Sequence, residues 1–373
     1  MKMILTSMHV MYRMIRPVLF FFDSERVHNS AIAFGERIGN KQRLRHIIAK
    51  LLDHSFDSLR QNISGITFSS PIGLAAGFDY EARLTRIISA LGFGFSTVGT
   101  LTYHPYEGNP RPMLGRLPKS RALVVNKGFK NLGVQETLRR LSGEKFSIPI
   151  GISIGKTNTD TIKTQEEAVA DVVAGFQDAE LSGVQFAYYE LNISCPNLKG
   201  NIEFYLPAHL EELLKAVGKL SISRPVFVKM PIIKTNDEIR SMLSVCECYG
   251  FVTGVIFGNL QKDRTHPCVV SKESERYPKG NLSGLPCRDR SDELISLAYT
   301  EYGKRFVVVG CGGIFTAEDA YRKVKLGASL LQLITGLIYE GPQRVAEINL
   351  ELARYLTRDG FKSISDAVGS AHR

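Results

Sequence analysis

From about residue 65 the chain alternates short apolar runs with longer stretches in which apolar residues recur at helical spacing. Strands are predicted at 71–75, 95–99, 149–154, 186–193, 225–229, 252–257, 306–310 and 329–333. Helix-period segments separate most of them, including 164–181, 236–249 and 316–326. Eight strands alternating with helices predict a closed (β/α)8 TIM barrel. An open doubly wound sheet is the alternative. It calls for a G-x-G-x-x-G turn after the first strand, and none is present. Walker A and H-E-x-x-H motifs are absent too. Two long connections, 101–147 and 259–305, read as insertions that serve as lids or binding loops.

The first 64 residues have a different texture and read as a helical extension, leaving 65–373 as the barrel domain. Residues 3–22 are apolar but interrupted by Arg13 and Arg16, so they fit an interfacial helix better than a spanning one. No small-residue cleavage site follows, which argues against a signal peptide. Leu44, Ile47, Ile48, Leu51, Leu52 and Leu59 recur at helical spacing, with Lys41, Arg43, Arg45 and Lys50 largely between them. Two readings stand: a basic membrane-surface helix, or a helix packed on the barrel with a solvated basic face. The apolar start and the Phe20-Phe21-Phe22 cluster favour the membrane.

Composition narrows the partners. The chain has 373 residues, 44% of them hydrophobic, and a net charge of +10. That balance favours anionic partners such as phosphate groups, acidic substrates or anionic lipid. The charge is spread without a long Lys/Arg run, so no nucleic-acid partner is expected. The six Cys follow no metal-ligand spacing, so no metal site is expected and the thiols read as reduced.

Chemistry-bearing residues gather where the predicted strands end. Glu190-Leu191-Asn192-Ile193-Ser194-Cys195-Pro196-Asn197 closes the fourth strand with two amides and a thiol. An ordinary Asn/Pro turn around a small buried Cys is the plainer alternative. Lys229 ends the fifth strand, where an ammonium facing the barrel mouth needs an anionic partner. Asn259 follows the sixth strand. Gly310-Cys311-Gly312-Gly313 after the seventh strand and Ile334-Thr335-Gly336 after the eighth read as the usual phosphate grip of barrels; tight turns needing φ > 0 would explain each Gly singly but not their pairing on adjacent strands.

With these residues in hand the chain resembles dihydroorotate dehydrogenase, in its membrane-associated, quinone-linked class. The resemblance runs through Gly73 to Asp79, Gly92 to Phe95, Gly108 to Pro112, Asn192 to Asn197, Val228-Lys229, Leu282 to Gly284, Gly310 to Gly313 and Ser365 to Gly369. It implies an FMN-bound barrel that oxidises (S)-dihydroorotate to orotate in pyrimidine synthesis, with a base taking the C5 proton and hydride leaving C6 for the flavin. It implies Cys195 as that base, and Asn126, Lys127, Gly128, Phe129, Asn192, Asn197 and Asn259 as substrate contacts. The implied FMN shell is Ala75, Ala76, Gly77, Thr100, Ser153, Asn192, Lys229, Gly258, Ser283, Gly284, Gly312, Gly313, Ile334 and Thr335. His28, in the Asp23 to His28 element, and Arg116 match the quinone tunnel. The resemblance further implies a membrane quinone as acceptor, an anionic membrane surface, and a monomer or homodimer. Without an Arg/Ser-rich leader, the cytoplasmic side of a prokaryotic cell membrane is expected rather than the mitochondrial inner membrane.

The chain departs from that class at several positions. Cys195 stands where the quinone class carries Ser, and a free thiol, with a pKa near 8.5, makes a thiolate accessible near neutrality. Tyr80 replaces a Lys that touches flavin and substrate carboxylate, and Lys127 is an unusual cation expected to compensate. Asn126 is one place closer to Gly128 than the family's Asn. Ser153 replaces an FMN-contacting Asn, and Ile334 a Tyr of the quinone path. The alternatives carried forward are a soluble acceptor (fumarate or NAD), a flavin-binding scaffold without catalysis, and a phosphate-binding isomerase barrel without flavin.

Overall fold

The computed structural model describes residues 2–199 and 202–373. Three helices lead: α1 (Lys2–Phe21), α2 (Ser24–Gly39) and α3 (Gln42–Leu52). Asp23 caps α2, accepting from the Arg26 N–H at 2.9 Å. Leu59 lies beyond α3 in a single 3-10 turn, not on the helix face to which its spacing assigned it. The antiparallel hairpin β1 (Gln61–Ile63) and β2 (Ile66–Phe68) follows. The boundary expected at 64/65 therefore falls in the turn of this hairpin, whose second strand sends Phe68 under the barrel.

All eight predicted barrel strands are present: β3 (Ile72–Leu74), β4 (Phe95–Leu101), β7 (Ile150–Ile154), β8 (Tyr188–Asn192), β9 (Val226–Met230), β10 (Val252–Phe257), β12 (Val307–Cys311) and β13 (Leu330–Leu333). They pair in parallel in that order and close, β13 against β3. Most are buried along their whole length, which is why they read as continuous apolar runs rather than alternating ones. The intervening helices are α4 (Val134–Leu141), α5 (Gln165–Leu181), α6 (Pro207–Gly218), α7 (Asn236–Glu247), α9 (Arg288–Tyr302), α10 (Ala317–Lys325), α11 (Thr335–Glu340) and α12 (Arg344–Arg358), with a short α8 (Ser271–Ser274) before α9. Helices α5, α7 and α10 each start at a Thr whose side chain and a carboxylate three residues on cap one another.

Both insertions are shorter than the sequence suggested. The last part of 101–147 is the barrel helix α4, and the last part of 259–305 is α9; each buries one face against the sheet. What remains builds a single structure. β5 (Leu114–Leu117) and β6 (Ala122–Val125) form a hairpin, and β11 (Asn281–Gly284) from the second insertion pairs with β6. This three-stranded sheet stands over the C-terminal mouth and supplies one wall of the cavity there.

The barrel interior is layered. At the bottom, Phe68 of the hairpin packs edge-on against Phe95, in a cluster with Tyr188, Phe227, Ile256, Val309 and Leu330. Above it Glu190 is fully buried, accepting from Thr97 Oγ1 at 2.6 Å and Gln332 Nε2 at 2.5 Å. The polar groups of the mouth come next.

Candidate active site

Strand ends place the site. β8 ends at Asn192, β9 carries Lys229, and the loop after β10 begins with Gly258 and Asn259. A cavity opens there. Ala75, Ala76, Gly77, Thr100, Asn192, Cys195, Asn197, Lys229, Gly258 and Asn259 line it. So do Ser283, Gly284, Gly312, Gly313, Ile334 and Thr335 on the side of β12 and β13, and Lys127, Gly128, Phe129 and His28 on the insertion and α2 side. Ser153, Asn126 and Arg116 do not line it.

Those three act behind the wall. Ser153 Oγ meets Thr100 Oγ1 at 2.9 Å, and Asn192 Nδ2 donates to the same Thr100 oxygen at 2.8 Å. Asn192 Oδ1 accepts from the Ser194 hydroxyl at 3.1 Å, and Ser194 Oγ accepts from Asn259 Nδ2 at 2.5 Å. One polar chain thus joins β7, β4, β8 and the β10 loop, fixing the amides from behind. Asn126 Oδ1 accepts from Asn109 Nδ2 at 3.1 Å, and the same amide donates to the Asn197 carbonyl at 2.9 Å. Asn158 Nδ2 donates to Asn109 Oδ1 at 3.1 Å, while Asn281 Nδ2 donates to Asn197 Oδ1 at 2.6 Å. Arg116 donates to the carbonyls of Leu19 and Phe22 at 3.2 and 2.9 Å and lies 4.8 Å from the Phe20 ring centre. Its guanidinium is engaged with the C-terminal end of α1.

The amide cluster around Asn109 and Asn158 escaped the sequence reading. Asn109 lies in the Gly108 to Pro112 stretch, and a signal was present: Asn109, Asn126, Asn158 and Asn197 all fall between strands and helices, in segments that the barrel brings to one rim. Ser194 was also passed over, although it lies between two assigned residues.

The electrostatics of the cavity are lopsided. Lys127 and Lys229 are both buried, and neither ammonium has a hydrogen-bond or ion-pair partner among the described residues. Burial pushes the Lys127 amine down to about 7, against the pull of Glu25. Burial pushes the Cys195 thiol up to about 11; a backbone N–H at Asn197 and the charges of Lys229 and Lys156 act the other way. The thiolate expected near neutrality is therefore not favoured by this pocket, because desolvation outweighs the neighbouring cations. Burial also lowers His28 well below its ordinary value, assisted by Lys127 and Lys130, and leaves its Nε2 without a partner.

Gly312 and Gly313, both with positive φ (94° and 70°), form an open cradle after β12. A Cβ at Gly312 would stand 2.9 Å from Cys287 Cβ. Across from them the Ser283 and Thr335 hydroxyls meet at 2.9 Å. Two glycines without side chains, two hydroxyls and an unpartnered ammonium across the mouth suit a long anionic cofactor with a phosphate at one end. The other arm of the cavity is apolar, walled by Phe78, Leu114, Leu123, Ile334 and Ile338 around His28. It runs towards α1 and α2, where Met14 is 68% exposed, Phe21 88% and, on α3, Ile47 55%. No helix among the described residues is long and apolar enough to cross a membrane.

The comparisons agree with this geometry. A family model described as dihydroorotate dehydrogenase matches residues 58–356. A dihydroorotate dehydrogenase (quinone) of Mycolicibacterium smegmatis is 36% identical over 98% of this chain and 100% of its own length. That of Gloeobacter violaceus is 36% identical over 97% and 99%. Among solved structures, DHODH from Eimeria tenella in complex with ferulenol superposes with a TM-score of 0.76 at 28% identity, covering 89% of this chain and 94% of that one. The ligand-free form gives 0.78.

Proposed function

The chain belongs to the dihydroorotate dehydrogenase family, and we propose from that premise how its cavity works. It is a flavin-dependent oxidoreductase of pyrimidine biosynthesis that oxidises dihydroorotate to orotate and gives the electrons to a quinone. The flavin we assign is FMN, its phosphate at Gly312, Gly313 and the Ser283–Thr335 hydroxyls. Ala75, Ala76, Gly77, Thr100, Gly258, Gly284 and Ile334 shape the remaining wall. A flavin held by these residues would supply the hydride acceptor for substrate C6 and the electron store from which the quinone is reduced.

The chain's own residues do the rest. Cys195 takes the C5 proton. Asn192, Asn197 and Asn259 present amides to the ring's carbonyls and N–H groups, held in place by the polar chain behind them. Asn126 acts indirectly, by orienting Asn109 and through it Asn197. Lys229 faces the cofactor and opposes the negative charge that reduction brings. Neutral His28 offers an unpartnered ring nitrogen to a quinone oxygen in the apolar arm.

One observation carries this reading: a single cavity runs unbroken from Cys195 and the three Asn to His28 and the apolar wall beside α1 and α2. A soluble acceptor would need no apolar arm. The helices α1 to α3 form the membrane-docking and quinone-access element, with exposed Met14, Phe21 and Ile47 entering the lipid interface on the cytoplasmic side of the cell membrane. Reoxidation of the reduced protein tests the acceptor. A short-chain quinone in detergent should restore the flavin absorbance at least tenfold faster than fumarate or NAD; equal rates would remove the apolar arm from the account.

A further inference from the structure

Lys127 is the least explained charge in the molecule. It is 8% exposed and lines the cavity, and its ammonium has neither hydrogen bond nor ion pair among the described residues. Its one close neighbour of note is the ring of Tyr80, whose centre is 4.3 Å from Nζ. The His28 ring lies nearly parallel to Tyr80, at 17° with centres 5.7 Å apart. A buried ammonium is costly unless something anionic completes its surroundings, and a cation–π contact offsets only part of that cost.

The surroundings say where the anion must come from. Glu25 of α2 is within ion-pair range of Lys130 (3.9 Å) and Arg111 (3.6 Å), not of Lys127. Asn126 and Gly128 on either side of Lys127 are pinned: Asn126 by Asn109, and Gly128 by close packing on Asn158 and Asn109. The same Asn109 amide holds Asn197, two residues from Cys195. Lys127 therefore shares the cavity with Cys195 and Asn197, on the side of Tyr80 and His28, while the glycine cradle follows β12, well round the barrel from β8. The amides there can match a neutral ring but carry no charge to match a carboxylate.

We propose that Lys127, seated on the Tyr80 ring, is the residue that selects the carboxylate of the substrate. It rests on the reading of this cavity as the dihydroorotate site. Tyr80 is a positioning residue: its ring fixes where the ammonium sits and closes the wall between the carboxylate and His28. The free site holds a partly neutral amine, since burial lowers it to about 7 against Glu25 and Glu81, with Lys130 acting in the same direction as burial. A bound carboxylate restores the charge, so binding takes up a proton.

Orotate binding to the flavin-loaded protein at pH 8 tests this, read by calorimetry in two buffers of different ionisation enthalpy. Wild type should bind orotate with proton uptake, and bind its uncharged methyl ester far more weakly. Lys127→Met should lose roughly 10- to 100-fold in orotate affinity, lose the proton uptake, and bind acid and ester alike. Tyr80→Phe should keep the wild-type pattern and Tyr80→Leu weaken it. If Lys127→Met, with full flavin content, still prefers the acid over the ester, the proposal is overturned. Wild-type protein that binds neither compound would instead overturn the assignment of the substrate.

Discussion

Asn192 donates its side-chain amide to Thr100 Oγ1 at 2.8 Å, and so ties the end of β8 to β4 under the cavity. The bond leaves the Asn192 carbonyl to Ser194 and fixes which way the amide faces. Thr100→Val keeps the shape and removes the acceptor. The stranded amide should cost about 1–3 kcal/mol of stability, seen as a lower thermal midpoint. The dihydroorotate KM should rise while the flavin stays bound.

The thiol prediction concerns pH. Burial pushes the Cys195 thiol up to about 11, which favours its protonated form near neutrality. An acid with a raised pKa gains its basic form as pH rises. The rate of flavin reduction by dihydroorotate should therefore climb from pH 7 to 9 without a plateau. Cys195→Ser should climb too, displaced to higher pH, because a hydroxyl is a weaker acid. Cys195→Ala should reduce the flavin about 10²- to 10⁴-fold more slowly yet still bind orotate. Rapid-mixing absorbance at a series of pH values separates these outcomes.

Arg116 gives a different signature. Its bonds to Leu19 and Phe22 hold the end of α1 against the β5–β6 sheet. Arg116→Leu should free that helix end and cut turnover with quinone several-fold, leaving anaerobic flavin reduction by dihydroorotate unchanged. An equal loss in both half-reactions would place Arg116 closer to the chemistry than its bonds suggest.

The exposed apolar face predicts membrane binding. Met14→Ser with Phe21→Ser removes two large side chains, each worth about 1.5–3 kcal/mol when buried. Partition onto anionic vesicles should fall at least tenfold in a flotation assay, and flavin reduction in solution should stay the same.

Much of this was legible in the sequence. The eight strands stood out because a parallel barrel buries them along their length, so their apolar runs end where the mouth begins. The place of Cys195, Lys229 and Asn259 at the mouth could be read from those ends. What could not be read was what crosses the barrel. No local pattern shows that Ser153 reaches Thr100 rather than the cavity, that Arg116 is spent on main-chain carbonyls of α1, or that β11 pairs with β6 from an insertion more than 150 residues away. The ends of both insertions were misjudged because α4 and α9 are strongly polar on their outer faces. The expected ease of ionising Cys195 failed for a related reason: burial is set by the whole mouth, not by the residues next to the thiol.

Anaerobic titration of the purified, flavin-loaded protein with dihydroorotate is the most direct measurement. Stoichiometric bleaching of the flavin band, with release of orotate, is the expected result. A yellow protein whose band stays unchanged through excess dihydroorotate would contradict the central claim.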